Sequence, residues 1–300
     1  MNKTSFLWLE ITKKCQLTCV HCYADSGPRQ DHGEMTRSVW LRVIDDAASA
    51  GVENVQFIGG EPTLHPNLSE FVERALAHNI KVEVFSNLAN ISQSMWQTFS
   101  RPGVSLATSY YSDDSTEHEA VTGAKGSYPR TSSSIGEAVK RSIPIRVGVI
   151  EVTTGQRTAE AVAQLQSLGV KVIGTDRTRK VGRGGTGTRP DAHELCGKCT
   201  QGRLAISTSG DVWPCVFSRW LPVGNVRKQK LTEILDCEVL AKVRADLNEE
   251  FEKRADANPH ADCYPDCGPA CQPNCPPSCS PSCSPTQNCT PSGNCWPNYR

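Results

Sequence analysis

Short β-branched or aromatic runs alternate with amphipathic stretches along the first 180 residues. The strand-like runs are FLWLEIT from Phe6, NVQFIGG from Asn54, KVEVFSN from Lys81, VSLATSYY from Val104, IPIRVGVIEV from Ile143 and VKVIGTD from Val170. Between them, MTRSVWLRVIDDAASAG, NLSEFVERALAHN and RTAEAVAQLQSLG place apolar residues three and four apart. That spacing predicts helices, and the first and last run into glycine, as helix C-termini do. Repeated strand-then-helix units predict a parallel sheet with right-handed crossovers. Six units fall short of the eight that close a barrel, so a curved, incomplete (βα)6 barrel and a doubly wound sheet both fit. In either, ligands sit beyond the carboxyl ends of the strands.

After Lys180 the pattern changes. VGRGGTGTRP is glycine-rich and reads as a connecting loop, followed from about Ala192 to Leu247 by a second region built around CGKCTQGRLAISTSGDVWPC. From about Asp256 proline takes over, with ten of the chain's 19 prolines in the last 45 residues, so no packed helix or sheet is expected there. The expected organisation is an α/β core over residues 1–185, a small cysteine-rich α+β domain over 186–255, and an irregular Cys/Pro-rich tail over 256–300.

Composition narrows the function. Lys plus Arg and Asp plus Glu balance at 32 each, so no overall basic field speaks for nucleic acid or an anionic membrane. The apolar run near the N-terminus is too short for a signal-peptide core or a membrane span, which makes the cytoplasm the default location. Fifteen cysteines in a cytosolic chain point to metal or redox chemistry, because cytosolic thiols are kept reduced. They fall into three blocks: Cys15, Cys19 and Cys22; Cys196, Cys199, Cys215 and the outlying Cys237; and eight in the tail.

KKCQLTCVHCY places the first three thiols at C-x3-C-x2-C directly after the first strand. Three thiolates on one loop suit a 4Fe-4S cluster with one iron left for another ligand, since such clusters normally take four cysteines. A zinc site completed by His21 is the alternative. C-x3-C-x2-C after strand one, GGEP (Gly59 to Pro62) after strand two and FSN (Phe85 to Asn87) after strand three together resemble the radical S-adenosylmethionine (SAM) enzymes, over roughly residues 5–180. The resemblance implies that Cys15, Cys19 and Cys22 hold the cluster and that SAM chelates its fourth iron. It also implies reductive cleavage to a 5'-deoxyadenosyl radical that takes a hydrogen atom from substrate. Gly59 and Gly60 allow close backbone approach at a strand end; Glu61 offers a carboxylate to the SAM ammonium and Pro62 stiffens the turn. Ser86, Asn87 and Ser109 are partners for the SAM ribose or carboxylate, or helix caps. Gly148 makes room for adenine or packs against a helix, and Tyr23 flanks adenine.

The second block, read as Cys199, ten residues, Gly210, four residues and Cys215, resembles the start of a SPASM or twitch extension. That resemblance implies an auxiliary 4Fe-4S cluster on Cys196, Cys199 and Cys215, with a zinc ribbon as the alternative. Cys237 is a fourth ligand, a hydrogen-atom donor or a buried thiol in a helix. Cys263, Cys267 and Cys271 complete the auxiliary ligation as an altered SPASM ending, and the thiols from Cys275 on are weakly specified. The layout, with VGRG (Val181 to Gly184) before the extension, implies a maturase that cross-links a ribosomally made peptide; a small-molecule dehydrogenase or epimerase is the second reading and a non-catalytic iron-sulfur or zinc protein the third. A flavodoxin or ferredoxin would supply the electron.

Overall fold

The computed structural model describes residues 3–257, with 186, 188 and 200 excepted. Nine strands form one sheet: β1 (Phe6–Thr12), β2 (Asn54–Gly59), β3 (Lys81–Phe85), β4 (Val104–Tyr110), β5 (Ile145–Glu151), β6 (Val172–Arg177), β7 (Arg203–Ile206), β8 (Asp211–Trp213) and β9 (Gly224–Asn225). Their spatial order is β6-β5-β4-β3-β2-β1-β7-β8-β9. From β1 to β6 each strand pairs in parallel with the next.

This order decides between the two folds the sequence left open. A doubly wound sheet starts in the middle and reverses direction, which creates its ligand crevice. Here the crossovers advance in one direction without reversal, as in a barrel, and the sheet ends at β6 and β9 rather than closing. The chain is therefore an α/β protein with an open, partial (βα)6 barrel.

Helices α1 (Arg37–Ser49), α2 (Leu68–Ala77), α3 (Gln93–Phe99), α4 (Ser115–Thr122), α5 (Ser127–Lys140) and α6 (Thr158–Ser167) fill the crossovers. Of these, α1, α2 and α6 are the three the spacing predicts. The other three carry weaker patterns: α3 is seven residues long, and α5, SYPRTSSSIGEAVK, is poor in strong helix formers. Short α4 is held at its ends, where Asp114 accepts from the Glu117 N–H and Gly123 takes the left-handed conformation at φ 64°. The core lies between sheet and helices, with Leu7, Leu9, Val55, Phe57, Val82, Val84 and Leu106 from the strands meeting Trp40, Ile44, Phe71, Val72 and Ile135.

Two arrangements depart from the sequence reading. No helix follows β6; the chain makes a 3-10 turn at Gly182–Gly185 instead. And the extension does not stand apart, because β7 pairs in parallel with β1 and carries antiparallel β8 and β9 outward from it. Helices α7 (Leu231–Leu235) and α8 (Glu238–Ala257) complete the described chain. The stretch LTEILDCEVLAKV breaks between them, so Cys237 sits at a helix junction rather than inside a helix. No helix among the described residues is long and apolar enough to cross a membrane.

Candidate active site

A cavity of about 250 Å³ opens on the inner side of the sheet. Its lining includes Cys15, Cys19, Cys22, Tyr23, Gly59, Gly60, Asn87 and Ser109, eight residues singled out from the sequence and drawn from four separate segments. Loops following parallel strands converge at the carboxyl end of the sheet, which is what brings these segments together.

The cysteine loop is tied to its surroundings through sulfur and backbone. Cys15 Sγ accepts from the Leu17 N–H at 3.4 Å and from Asn87 Nδ2 at 3.6 Å, and Cys22 Sγ accepts from the Ser26 N–H at 3.4 Å. Burial pushes the Cys15 thiol up to about 12, with the nearby Glu61 carboxylate adding to it. Burial also pushes Cys19 up to about 12, helped by Cys22. Buried thiols this close ionise only against a strong positive charge, which a cluster's iron supplies. Among the described residues no three His, Cys, Asp or Glu side chains converge on a single metal ion. A 4Fe-4S cluster asks for no such convergence, because each thiolate binds its own corner iron. The donor set therefore fits a cluster.

The GGEP turn packs on the backbone that leads into the cysteines. A Cβ on Gly59, at φ +128°, would lie 2.4 Å from Thr12 O, and one on Gly60 would lie 2.3 Å from Lys14 O. The Gly60 N–H donates to Thr12 O at 2.7 Å and the Glu61 N–H to Lys14 O at 2.8 Å. The glycines thus let this turn press on the backbone that leads into the cysteines, while one edge still faces the cavity. Glu61 is fully buried and does not line the cavity. Its Oε1 accepts from the Thr63 N–H at 3.1 Å, Thr63 Oγ1 at 2.7 Å and Ser86 Oγ at 2.8 Å; its Oε2 accepts from the Asn87 N–H at 2.8 Å. Burial raises its pKa, and these donors, led by Asn87, oppose the rise. Pro62 opens the 3-10 turn Pro62–Leu64. Ser86, also buried, accepts from the Leu88 N–H at 3.0 Å and stays out of the cavity. Asn87 Oδ1 accepts from Gln16 Nε2 and from the Ala89 N–H, each at 2.9 Å, so the third strand's loop is fastened to the cysteine loop.

On the far side, register places Ser109 opposite Gly148 and Gly148 opposite Gly174. In-register residues of parallel strands face the same way, so three small residues make a shallow strip beside the cavity. Gly148 itself is buried below the lining residues. Tyr23 meets Phe217 edge-on at 5.1 Å between ring centroids.

Several lining residues had no signal in the sequence. Tyr111 is buried beside the cysteine loop and contacts the rings of His21 and His118 at 5.1 and 5.2 Å. Glu83 and Arg146, on strands two apart, form a bidentate pair at 2.7 and 2.8 Å within the barrel, and Gln56 donates to the same carboxylate. Asp176 and Arg179, at the end of β6, pair at 2.6 Å. Each lies in a segment whose alternation reads as ordinary strand; only the curvature of the sheet turns it inward.

His118 is 1% exposed, and burial pulls its pKa down to about 4. A base whose folded pKa lies below its unfolded value, near 6.5, contributes stability that is complete above pH 6.5 and is lost as pH falls toward 4. The shift corresponds to about 3 kcal/mol at the acid end. Chemical denaturation across this range should show a shallower fall for His118→Phe than for wild type. Equal slopes would mean that His118 does not titrate in this way.

The second cysteine block forms its own pocket. Cys199 donates to Cys215 across 3.3 Å, and both are buried with Leu195 and Leu247 against Trp8, Phe217, Trp220 and Phe251. The neighbouring Cys199 thiol draws the exposed Cys196 down to about 6. Two thiols in an apolar pocket with a third, exposed one three residues before the first suit an iron-sulfur cluster short of one protein ligand. Cys263, Cys267 and Cys271 lie outside the described residues. Trp8 and Phe217 face both this pocket and the cavity, so one aromatic layer is shared by the two cysteine sites. Cys237 belongs to neither; its Sγ donates to Val223 O at 3.6 Å and the residue packs on the main core.

Comparison with known proteins follows the same division. A family described as the radical SAM superfamily matches residues 9–176, and an iron-sulfur cluster-binding SPASM domain matches residues 196–276. The sporulation killing factor maturation protein SkfB of Bacillus subtilis (strain 168) is 26% identical over 262 residues, taking in 75% of this chain and 63% of that protein. The chain thus spans less than two thirds of that relative. Streptococcus suis SuiB bound to its precursor peptide SuiA superposes with a TM-score of 0.69 at 14% identity, covering 82% of this chain and 67% of that one. BtrN in complex with AdoMet and 2-DOIA superposes at 0.55 with 19% identity, covering 85% and 92%. At these identities the two structures establish the fold.

Proposed function

The chain belongs to the radical SAM superfamily, and from that premise we propose that it binds SAM and a 4Fe-4S cluster in the strand-end cavity and modifies a ribosomally made peptide. The observation that carries the reading is the single cavity wall shared by Cys15, Cys19 and Cys22 on one side and the aromatic layer of the second cysteine pocket on the other. When bound, the cluster and SAM supply one-electron cleavage of a SAM carbon-sulfur bond and a 5'-deoxyadenosyl radical able to take hydrogen from an unactivated position. Cys15, Cys19 and Cys22 hold that cluster. Glu61, saturated by four donors, locks the turn whose outer edge, Gly59 and Gly60, faces the cavity that would hold SAM. Asn87 and Ser109 offer polar contacts to SAM, and Tyr23 lines the same cavity. Leu17, Ile58 and Ile150 keep water from the reacting atoms, which protects a radical from quenching.

Cys196, Cys199 and Cys215 would hold an auxiliary cluster, which would supply an electron acceptor when the net reaction is an oxidation. The peptide class is supported by likeness to a maturation protein and to a structure holding its precursor peptide. A flavodoxin-like or ferredoxin-like donor in the cytoplasm would deliver the reducing electron. Anaerobic protein reconstituted with iron and sulfide, then given SAM, dithionite and any short peptide found encoded beside its gene, should release 5'-deoxyadenosine and leave the peptide lighter by two hydrogen atoms. The near-complete coverage of BtrN favours a second reading, dehydrogenation of a small polyol. Deoxyadenosine that rises with an aminocyclitol while the peptide mass stays unchanged would select it.

A further inference from the structure

The VGRG turn links the barrel to the extension, and nothing in the proposed reaction uses it. Its two glycines are dictated by packing: a Cβ on Gly182, at φ +60°, would fall 2.4 Å from Tyr23 O and 2.5 Å from Cys22 O, and one on Gly184 would fall 2.5 Å from Arg179 O. The turn therefore lies directly on the second half of the cysteine loop. The residue between the glycines binds that loop at four points. The Arg183 N–H donates to Cys22 O at 3.0 Å; its Nε donates to Cys19 O at 2.9 Å, Nη2 to Ser26 O at 2.7 Å and Nη1 to Asp25 Oδ1 at 2.7 Å.

We propose that Arg183 is a positioning residue that clamps the Cys19–Ser26 segment and holds a fixed positive charge beside the cluster bound there, raising its reduction potential. Only a planar guanidinium fork reaches two carbonyls and a carboxylate at once; a lysine ammonium, a point charge on a flexible stem, does not. The Asp25 contact is exposed and contributes little to holding the loop, so the clamp rests on the two carbonyls. A nearby cation favours the more negative, reduced form of a cluster, and net charge is among the factors that set such potentials. Because residue 183 also begins the path to Cys196, the clamp ties the linker of the auxiliary pocket to the SAM-binding loop.

This inference rests on cluster binding by Cys15, Cys19 and Cys22. EPR-monitored redox titration of the reconstituted protein, following the signal that SAM addition perturbs, separates the two. Arg183→Met should shift that midpoint potential negative and lower the iron retained after desalting. Arg183→Lys should keep the potential nearer wild type while still losing iron, since it restores charge without the fork. Asp25→Asn, at an exposed side chain, removes the countercharge and should shift the potential positive. A potential in Arg183→Met no lower than wild type overturns the inference; should that variant fail to fold, a potential in Asp25→Asn no higher than wild type does so. Wild-type protein without a SAM-perturbed signal overturns the site reading and the inference together.

Discussion

Replacing Cys19 by alanine is expected to reduce 5'-deoxyadenosine formation by more than about 100-fold, because even outer partners of metal ligands cost 10- to 100-fold when removed. Cys19 lines the cavity, so its loss removes one of the three thiolates on that loop. His21 is the nearest substitute, but its ring stands edge-on against Tyr111. Cys215→Ala should behave differently. Cys215 lies behind the Trp8 and Phe217 layer and not in the cavity wall, so SAM cleavage should survive while iron content falls and product formation stops. Iron analysis and chromatographic assay of deoxyadenosine on the two variants test this division. Equal loss of cleavage in both would show that the two cysteine sets are not independent.

Arg219→Ala is expected to destabilise the protein by about 3 to 5 kcal/mol, the range for leaving one partner of a buried ion pair alone. Glu10, on β1, is 4% exposed and pairs with Arg219 from the segment after Cys215. The guanidinium is stacked between Trp213 at 4.9 Å and Tyr23 at 5.3 Å, so charge and cation–π contacts are lost together. Burial already raises the Glu10 pKa, and Arg219 is what opposes it most. An acid whose folded pKa lies above its unfolded value contributes stability that is present below the unfolded pKa and is lost as pH rises through the folded one. Without Arg219 that folded value climbs further. The deficit of the variant should therefore grow from pH 4 toward neutrality, and urea titrations at several pH values would trace it. Glu10→Gln added to Arg219→Ala should recover most of the loss, since no charge is then left buried. A deficit that is the same at every pH would rule out this origin.

How much of this was legible beforehand depends on the range of the interaction. The six parallel strands and helices α1, α2 and α6 follow from local alternation and three-four spacing, because each buries a face set by its own residues. The three cysteines are legible for the same reason: C-x3-C-x2-C confines its ligands to eight residues. Helices α4 and α5 escape, since their helicity owes more to the sheet they cover than to propensity. GGEP was legible as a site marker but not in its mechanics. Its carboxylate is spent on Ser86, Thr63 and Asn87, and its glycines on Thr12 and Lys14.

The sequence by itself determined an α/β chain of parallel units, a thiol loop after the first strand and a second thiol set further on. Each of these is a property of short segments, where side-chain period and ligand spacing act directly. Tertiary structure alone decided the barrel order over the doubly wound one, the pairing of β7 with β1, the inward Glu83 and Arg146, the shared Trp8 and Phe217 layer and the grip of Arg183 on Cys19 and Ser26. These join residues tens to hundreds of positions apart. Such contacts exist only after the chain closes its long loops, and no local pattern records which partners will meet.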